Sequence, residues 1–413
     1  MNNIKQLATP TKLWNKNFFL LMLGMEFNYI GANLLKFVLP LYVLRETGNP
    51  ALMGTVLAFS LIPLILFLPI GGISADRFSK RILLAIMNIA TAIAIVVYLG
   101  ISNTIAIVPA TIIFFLLFSA FESMITPTVE ASMPVLVPKN DLVKANSVSW
   151  LLSILSTVGS PILGGFILER LGLTTVLYIC IAFYVLATAV KLTLKIPHSK
   201  QEAVGSLLRT IMSDIKDGVF YVTKENTKIG KLILISGSVG LFFLPITSAT
   251  LPVLVSTYLE MGETFVGLAN GIVMFGGTVG IILLGVLGEK ANVTKLRPLL
   301  LVCCSLLAIT GLGVMWSTHA MLTYVVIIAL FFIITGFLVM FGVFVTSYIG
   351  EKTPEHLVGK AMSLFFASTW LGVAIGNYMS GVLLNRFIAT PSVALLIIAG
   401  IATACSLFVR IKE

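Results

Sequence analysis

Twelve runs of apolar residues, each long enough to cross a lipid bilayer, leave this chain few ways to fold. They lie near residues 17–42, 51–74, 82–101, 105–136, 143–167, 172–194, 231–258, 264–287, 298–316, 321–349, 358–384 and 391–409. A helix needs ~20 predominantly apolar residues to span the hydrocarbon core. Backbone groups in lipid must bond within their own segment, so such runs form helices. The chain is 58% hydrophobic and only 11% charged, against about 25% charged in soluble domains. The expected fold is an all-α membrane protein with twelve transmembrane helices.

The charge distribution sets the orientation. With the N-terminus inside, all of the 27 Lys and Arg residues fall on one side except Arg45, Arg170, Arg386 and the intramembrane Lys36. This bias puts both termini in the cytoplasm. The net charge of +10 is spread over seven short segments, whereas nucleic-acid binding needs basic residues clustered on one surface. No nucleic-acid partner is expected. The first apolar run is too long for a cleavable signal peptide and reads as an uncleaved insertion signal. Cys180, Cys303, Cys304 and Cys405 all fall within spans and read as small core residues. His198, His319 and His356 lie in loops and form no site. There is no G-x-x-x-x-G-K-[ST] motif for internal ATP hydrolysis. No Ser-His-Asp arrangement or metal cluster stands out, so neither an enzyme nor a cofactor is expected.

The longest polar interval, 195–230, divides the spans six and six. Within it, Leu207–Tyr221 has apolar residues at helical spacing, as in a helix lying on the membrane surface. The expected domains are an N-terminal bundle (1–194), a cytoplasmic linker (195–230) and a C-terminal bundle (231–413). The halves echo one another: Leu39-Pro40 recurs as Leu251-Pro252, Gly54 as Gly267 and Gly72 as Gly285. Pro138 recurs as Pro354, and Gly165 and Arg170 recur as Gly381 and Arg386. Parallel six-span repeats imply two similar bundles with a transport site between them near the midplane.

Charge inside a bilayer is costly, so each intramembrane ionisable residue is a functional candidate. Glu26 lies roughly 14 Å into span 1 at 1.5 Å per residue, and Asn33 shares its helix face. Desolvation favours the neutral form of a carboxyl; a carboxyl that changes charge at such depth is what proton coupling needs. The plainer reading of Glu26 is a structural bond to a neighbouring helix. Lys36 is either a cavity cation or a side chain snorkelling to the interface. Glu122, flanked by apolar runs in span 4, is either a cavity or coupling residue or part of a fixed salt bridge. Phe18, Phe27, Tyr29 and Phe37, with Phe242, Phe243 and Tyr258, either line an apolar cavity or serve as core and lipid-facing residues.

Residues 72–81, Gly-Ile-Ser-Ala-Asp-Arg-Phe-Ser-Lys-Arg, fill a tight turn between spans 2 and 3. This turn resembles the G-x-L-A-D-R-x-G-R-K loop of the major facilitator superfamily, matching it at Gly72, Ala75, Asp76, Arg77, Lys80 and Arg81. Three further stretches resemble the macrolide-efflux and enterobactin-exporter type of that superfamily: Leu-Tyr-Val-Leu-Arg-Glu-Thr-Gly (41–48), Thr-Pro-Thr-Val-Glu-Ala-Ser-Met-Pro-Val-Leu-Val-Pro (126–138) and Leu-Pro-Ile-Thr-Ser-Ala-Thr-Leu-Pro (244–252). The resemblance implies a cytoplasmic gate in which Glu130 pairs with Arg77, Lys80 or Arg81. It also implies that Asp76 complements the partly positive N-terminus of the helix starting near Leu357. The second-half counterpart, Gly-Glu-Lys at 288–290, has lost this pattern. In span 5, Gly159, Pro161, Gly164 and Gly165 resemble the G-P-x-x-G-G core of the antiporter motif, with Ser160 in place of a Gly. Drug antiporters often carry an Arg in span 4; aligned on Thr126-Pro127, that place holds Phe118.

These features lead to a secondary transporter of the cell membrane, with the resemblance implying a bacterial one. It would export hydrophobic or amphiphilic small molecules by proton antiport and alternating access, as in multidrug efflux and antibiotic resistance. Sodium is an open alternative to the proton, and a monomer is expected. Two other readings stay open: uptake or exchange of a polar solute or lipid, with Lys36, Asn28 and Asn33 binding it, and a non-transporting membrane receptor or scaffold.

Overall fold

The computed structural model describes residues 12–102, 104–196, 207–287, 296–316 and 319–408. Within its helices, the side chains at 68–77, 207–211, 214, 287 and 408 lie outside that description. The expected gate roles of Gly72, Asp76 and Arg77, and the 288–290 turn, therefore fall outside that description.

The apolar runs form helices in the expected order. The first four spans are α1 (Lys16–Thr47), α2 (Pro50–Arg77), α3 (Lys80–Ile101) and α4 (Ile107–Glu130), followed by the short α5 (Met133–Leu136). Spans 5 and 6 are one long element, α6 (Leu142–Leu192), broken at Gly172. Gly172 has φ 78° and ψ 171°, a region essentially reserved for glycine. The chain can therefore turn there without a separate loop. Gly172→Val is expected to cost roughly 1–3 kcal/mol, measurable as a lower melting temperature in detergent. A helix α7 (Leu207–Phe220) follows, in agreement with its apolar spacing. Lys360 holds it by an ion pair to Asp217 at 2.7 Å.

Span 7 is less regular. It runs as α8 (Thr227–Phe242), a π-helical stretch Ile246–Thr250, the single turn α9 (Leu251–Val253) and a second π-helical stretch, Leu254–Tyr258. Such bulges concentrate at functional sites. Here the first one presents Ser248, whose hydroxyl donates to Asn377 Oδ1 at 2.7 Å, and the Thr247 carbonyl, which accepts from Asn270 Nδ2 at 2.9 Å. The remaining spans are α10 (Glu263–Leu287), α11 (Leu296–Trp316), α12 (Ala320–Lys352), α13 (Glu355–Arg386) and α14 (Pro391–Phe408). Counting α6 as two, the described residues supply a helical segment for each of the twelve apolar runs.

The chain divides into two compact units. One comprises Met1–Leu39 and Ile62–Val204; the other comprises Pro40–Leu61 and Gly205–Glu413. The boundary at 204 falls within the expected linker. The grouping of Pro40–Leu61 with the second unit is not foreseen by dividing the spans six and six. Two contacts within that unit account for it. Arg45 pairs with Glu263 at 3.3 Å, and Gly54 lies so close to Gly381 that a Cβ on either would strike the other's Cα at 3.0 Å. In the first unit α3 packs on α4 and α6. In the second, α8 packs on α13, α10 on α12 and α11 on α14. Phe18, Phe242 and Phe243 are buried core residues, and Phe242 and Phe243 also border a small cavity of about 20 Å³.

Candidate functional site in the N-terminal unit

The site begins with two stripes on α1. Gly24, Asn28 and Gly31 recur at i, i+4 and i+7, and Glu26 and Asn33 recur at i and i+7, so each set shares a face. Asn28 and Glu26, two residues apart, point to opposite sides at 100° per residue.

The Gly24–Asn28–Gly31 stripe packs against the second span of α6. There Cys180, Tyr184, Ala187, Thr188 and Lys191 form a buried face. Gly31 makes room for the Tyr184 ring, which a Cβ would approach at 3.1 Å. One turn-pair away, Gly24 makes room for the stem of Lys191, whose Cγ would lie 3.2 Å from a Cβ. The two glycines thus seat two large polar side chains spaced by the same seven residues.

What they seat is a hydrogen-bonded network. Glu122 Oε1 accepts from Asn28 Nδ2 at 3.1 Å and from the Tyr184 hydroxyl at 3.1 Å. Asn28 Nδ2 also donates to Asn88 Oδ1 at 3.3 Å, and Lys191 Nζ donates to the same Oδ1 at 3.4 Å. Asn88 and Lys191 are 0% exposed and Asn28 is 2% exposed; Glu122 is partly exposed. Asn88 Nδ2 is buried with no partner. Lys191 has no carboxylate within ion-pair distance among the described residues. A buried ammonium held only by a neutral amide is expensive unless an opposite charge acts on it.

The second stripe leads elsewhere. Ser156, on the first span of α6, donates to Glu26 Oε1 at 2.7 Å, while Oε2 is buried and unpartnered. Beside it a cavity of about 310 Å³ is lined by Met25, Tyr29, Glu130, Asn146, Ser149 and Trp150, among others. Trp150 is 68% exposed. Asn33 is half-buried and Lys36 exposed, with Lys36 Nζ 5.8 Å from the centre of the Phe118 ring, within cation–π range. A positive charge therefore lies over the side chain that occupies the place of the span-4 Arg. Glu26, Asn33, Lys36 and Glu122 do not form one cluster: Glu122 bonds inward to α1 and α6, and Glu26 bonds to the opposite side of α1.

The gate residues are only partly within the described side chains. Lys80 Nζ donates to the Ala131 carbonyl at 2.6 Å, and Arg81 is exposed. Glu130 lines the cavity and makes no ion pair among the described residues, and of its expected partners the side chain of Arg77 lies outside that description. Lys80 thus reaches the backbone one residue beyond Glu130. In the span-5 motif, Pro161, Gly164 and Gly165 are buried. A Cβ on Gly164 would lie 2.9 Å from Val38 and 3.1 Å from Leu34, the close approach expected of small residues between membrane helices. Gly159 faces open space and has no such role. Ser160 uses its hydroxyl, donating to the Ile30 carbonyl at 3.4 Å.

Three members of the network, Asn88, Tyr184 and Lys191, escape the sequence reading. The charge pattern counts Lys191 with the charges of the cytoplasmic side, whereas the structure buries it in the unit. The available signal was its seven-residue spacing from Tyr184 on the face that carries Ala187 and Thr188. Asn28, read as a cavity ligand, is buried within the unit.

Comparison with known proteins places this arrangement in context. The family model described as Major Facilitator Superfamily matches residues 21–377. Macrolide efflux protein A of Streptococcus pyogenes is 22% identical over 385 residues, 90% of each chain. Enterobactin exporter EntS of Shigella boydii is 23% identical over 366 residues, 85% of this chain and 81% of that protein. Among solved structures, a point mutant of the nucleoside transporter NupG superposes with a TM-score of 0.74 at 17% identity, covering 95% of this chain and 98% of that one.

Proposed function

Because this chain belongs to the Major Facilitator Superfamily, we propose that it is a secondary exporter of hydrophobic or amphiphilic small molecules, driven by proton antiport. Transport through a multi-pass fold of the cell membrane follows from the family. The export direction is supported by relatives named for macrolide efflux and enterobactin export. The observation that carries proton coupling is Glu122. This partly exposed carboxyl, deep in α4, is held by two neutral donors, Asn28 and Tyr184, and by no ion pair of its own among the described residues. Glu122 is thus held by hydrogen bonds rather than by a salt bridge, and it is the carboxyl we assign to coupling. Intramembrane carboxyls that exchange protons are the relays of pumps and transporters. The charge bias of the loops supports a cytoplasmic position for both termini.

The test uses purified protein in liposomes that contain a pH-sensitive dye, with a panel of macrolides and other amphiphiles as probes. Addition of a transported compound is expected to discharge an imposed pH gradient in protein-containing vesicles alone. Compound movement that is indifferent to the gradient would overturn the antiport reading. Glu26→Gln keeps an acceptor for Ser156 and removes the charge. It is expected to slow gradient-driven export without abolishing it, because Glu122 remains; complete loss would shift the coupling role to Glu26.

A second reading, exchange of a polar anion, is favoured by Lys36, which is exposed and held over Phe118. It loses Asn28 as a ligand, since that side chain is buried and already bonded to Asn88 and Glu122. Lys36→Met distinguishes the two, because it would abolish anion exchange and leave export of uncharged amphiphiles in place.

A further inference from the structure

Lys191 is the one fully buried ammonium in the described N-terminal unit, and nothing in transport by the exposed groups requires it. We propose that Lys191 and Glu122 form a single charge unit across α1, in which Lys191 is the buried counter-charge that sets the proton affinity of Glu122. The functional meaning of this pair rests on the proton-antiport reading; the pairing itself does not.

The geometry supports pairing through amides. Asn28 Nδ2 has two hydrogens, one for Glu122 Oε1 and one for Asn88 Oδ1. Asn88 Oδ1 then accepts from Lys191 as well. Both donors point at Asn88 Oδ1, so no proton can pass along this chain from Lys191 to Glu122. The link is electrostatic: the Asn28 amide turns its NH2 group toward the carboxylate, and the Asn88 amide turns its oxygen toward the ammonium. In a low-dielectric interior such alignment carries the field of one charge to the other. Lys191 meets Gly24 of α1 and Asn88 of α3 directly, and beyond them lie Asn28 of α1, bonded to the same Asn88 oxygen, and Glu122 of α4, bonded to Asn28. Of these, Glu122 supplies the negative charge. Glu26 is on the opposite face of α1 and is bonded to Ser156.

This arrangement explains two features otherwise without a purpose. Gly24 is needed because the Lys191 stem fills the space a side chain would occupy. The Asn28–Asn88 bridge is needed because Lys191 enters from the end of α6 and does not reach Glu122 directly. It also offers a source for the positive charge that span 4 lacks at Phe118. When Glu122 takes a proton, the pair carries a net positive charge with no partner. Protonation then weakens the packing of α4 on α1 and α6, which is what a conformational cycle coupled to a proton needs.

The test is a double-mutant cycle on the full-length protein in detergent, read without any substrate. Glu122→Gln alone strands the Lys191 charge, and Lys191→Met alone strands Glu122; each is expected to lower the melting temperature. The double variant removes both charges and is expected to recover at least half of the combined loss, as replacement of a whole buried pair does. Strictly additive losses would overturn the pairing. A second readout is an infrared pH titration of the protonated Glu122 band, assigned by its absence in Glu122→Gln. Removing a nearby positive charge disfavours the carboxylate. In Lys191→Met the band is expected to persist to a proton concentration about tenfold lower, a shift of one pH unit or 1.36 kcal/mol, and Lys191→Arg is expected to restore the wild-type profile. An unchanged profile in Lys191→Met would also overturn the proposal. If Lys191→Met cannot be purified folded while Glu122→Gln/Lys191→Met can, the pairing is supported. Failure of the antiport reading would show separately, as absence of compound-driven proton flux in wild-type liposomes.

Discussion

Glu122→Gln is expected to reduce proton-driven export to the level of protein-free vesicles. The substitution preserves shape and leaves a side-chain oxygen to accept from Asn28 and Tyr184, as Glu122 does now. What it removes is the ability to change charge. A transporter that exchanges a proton for its substrate has no exchange partner left if its coupling carboxyl is permanently neutral. Binding of a macrolide or other amphiphile, followed by quenching of tryptophan fluorescence, should persist, because Glu122 sits behind the Glu26 stripe rather than in the cavity beside Tyr29 and Trp150. Counterflow, in which substrate exchanges for substrate without net proton movement, should survive as well. Retained gradient-driven export in Glu122→Gln would place coupling elsewhere.

The second large effect lies far from any charge. Gly372→Leu is expected to destabilise the protein by about 3 kcal/mol, the upper end of overpacking penalties, and to give aggregated protein on gel filtration in detergent. Helix α13 crosses α8 with backbone against backbone. A Cβ on Gly372 would collide with the Gly237 carbonyl oxygen and lie 3.0 Å from the Leu241 nitrogen, and one on Gly240 would collide with the Thr369 carbonyl oxygen. None of these is the end of a flexible side chain, so the helices must separate. Association of membrane helices depends on van der Waals contact rather than on expulsion of water, so separation forfeits most of what holds the pair. The comparison is Gly359, on the same helix but with open space around it. Gly359→Ala is expected to be neutral or slightly stabilising, since Ala is the better helix former by ~1 kcal/mol.

The two halves of the site were unequally legible. Glu26 and Glu122 stood out because each interrupts a long apolar run, and depth in a membrane follows directly from position along a helix. The Glu26–Asn33 stripe was likewise read from helical periodicity. Lys191 was not, because it lies within a few residues of the end of its apolar run, where a lysine is ordinarily a surface charge. Its burial depends on Gly24, more than 160 residues earlier in the chain, and its partner Asn88 is 103 residues away. The span-5 motif shows the same division. Gly164 meets α1 as its pattern suggests, but Gly159 faces open space, since only one side of a helix can touch a given neighbour.

The sequence by itself determined the class of fold and the order of its apolar spans. These follow from local quantities: the length of an apolar run, the charge of the segment next to it, and the spacing of like residues. Tertiary structure decided which polar groups face one another. It turned two carboxyls that look alike in sequence into one that bonds a serine and one that is tied through two asparagines to a buried lysine. It also grouped Pro40–Leu61 with the second unit through Gly54 and Gly381. Depth in a membrane is set along one helix, whereas the partner of a polar group is set by the rotation of that helix against its neighbours.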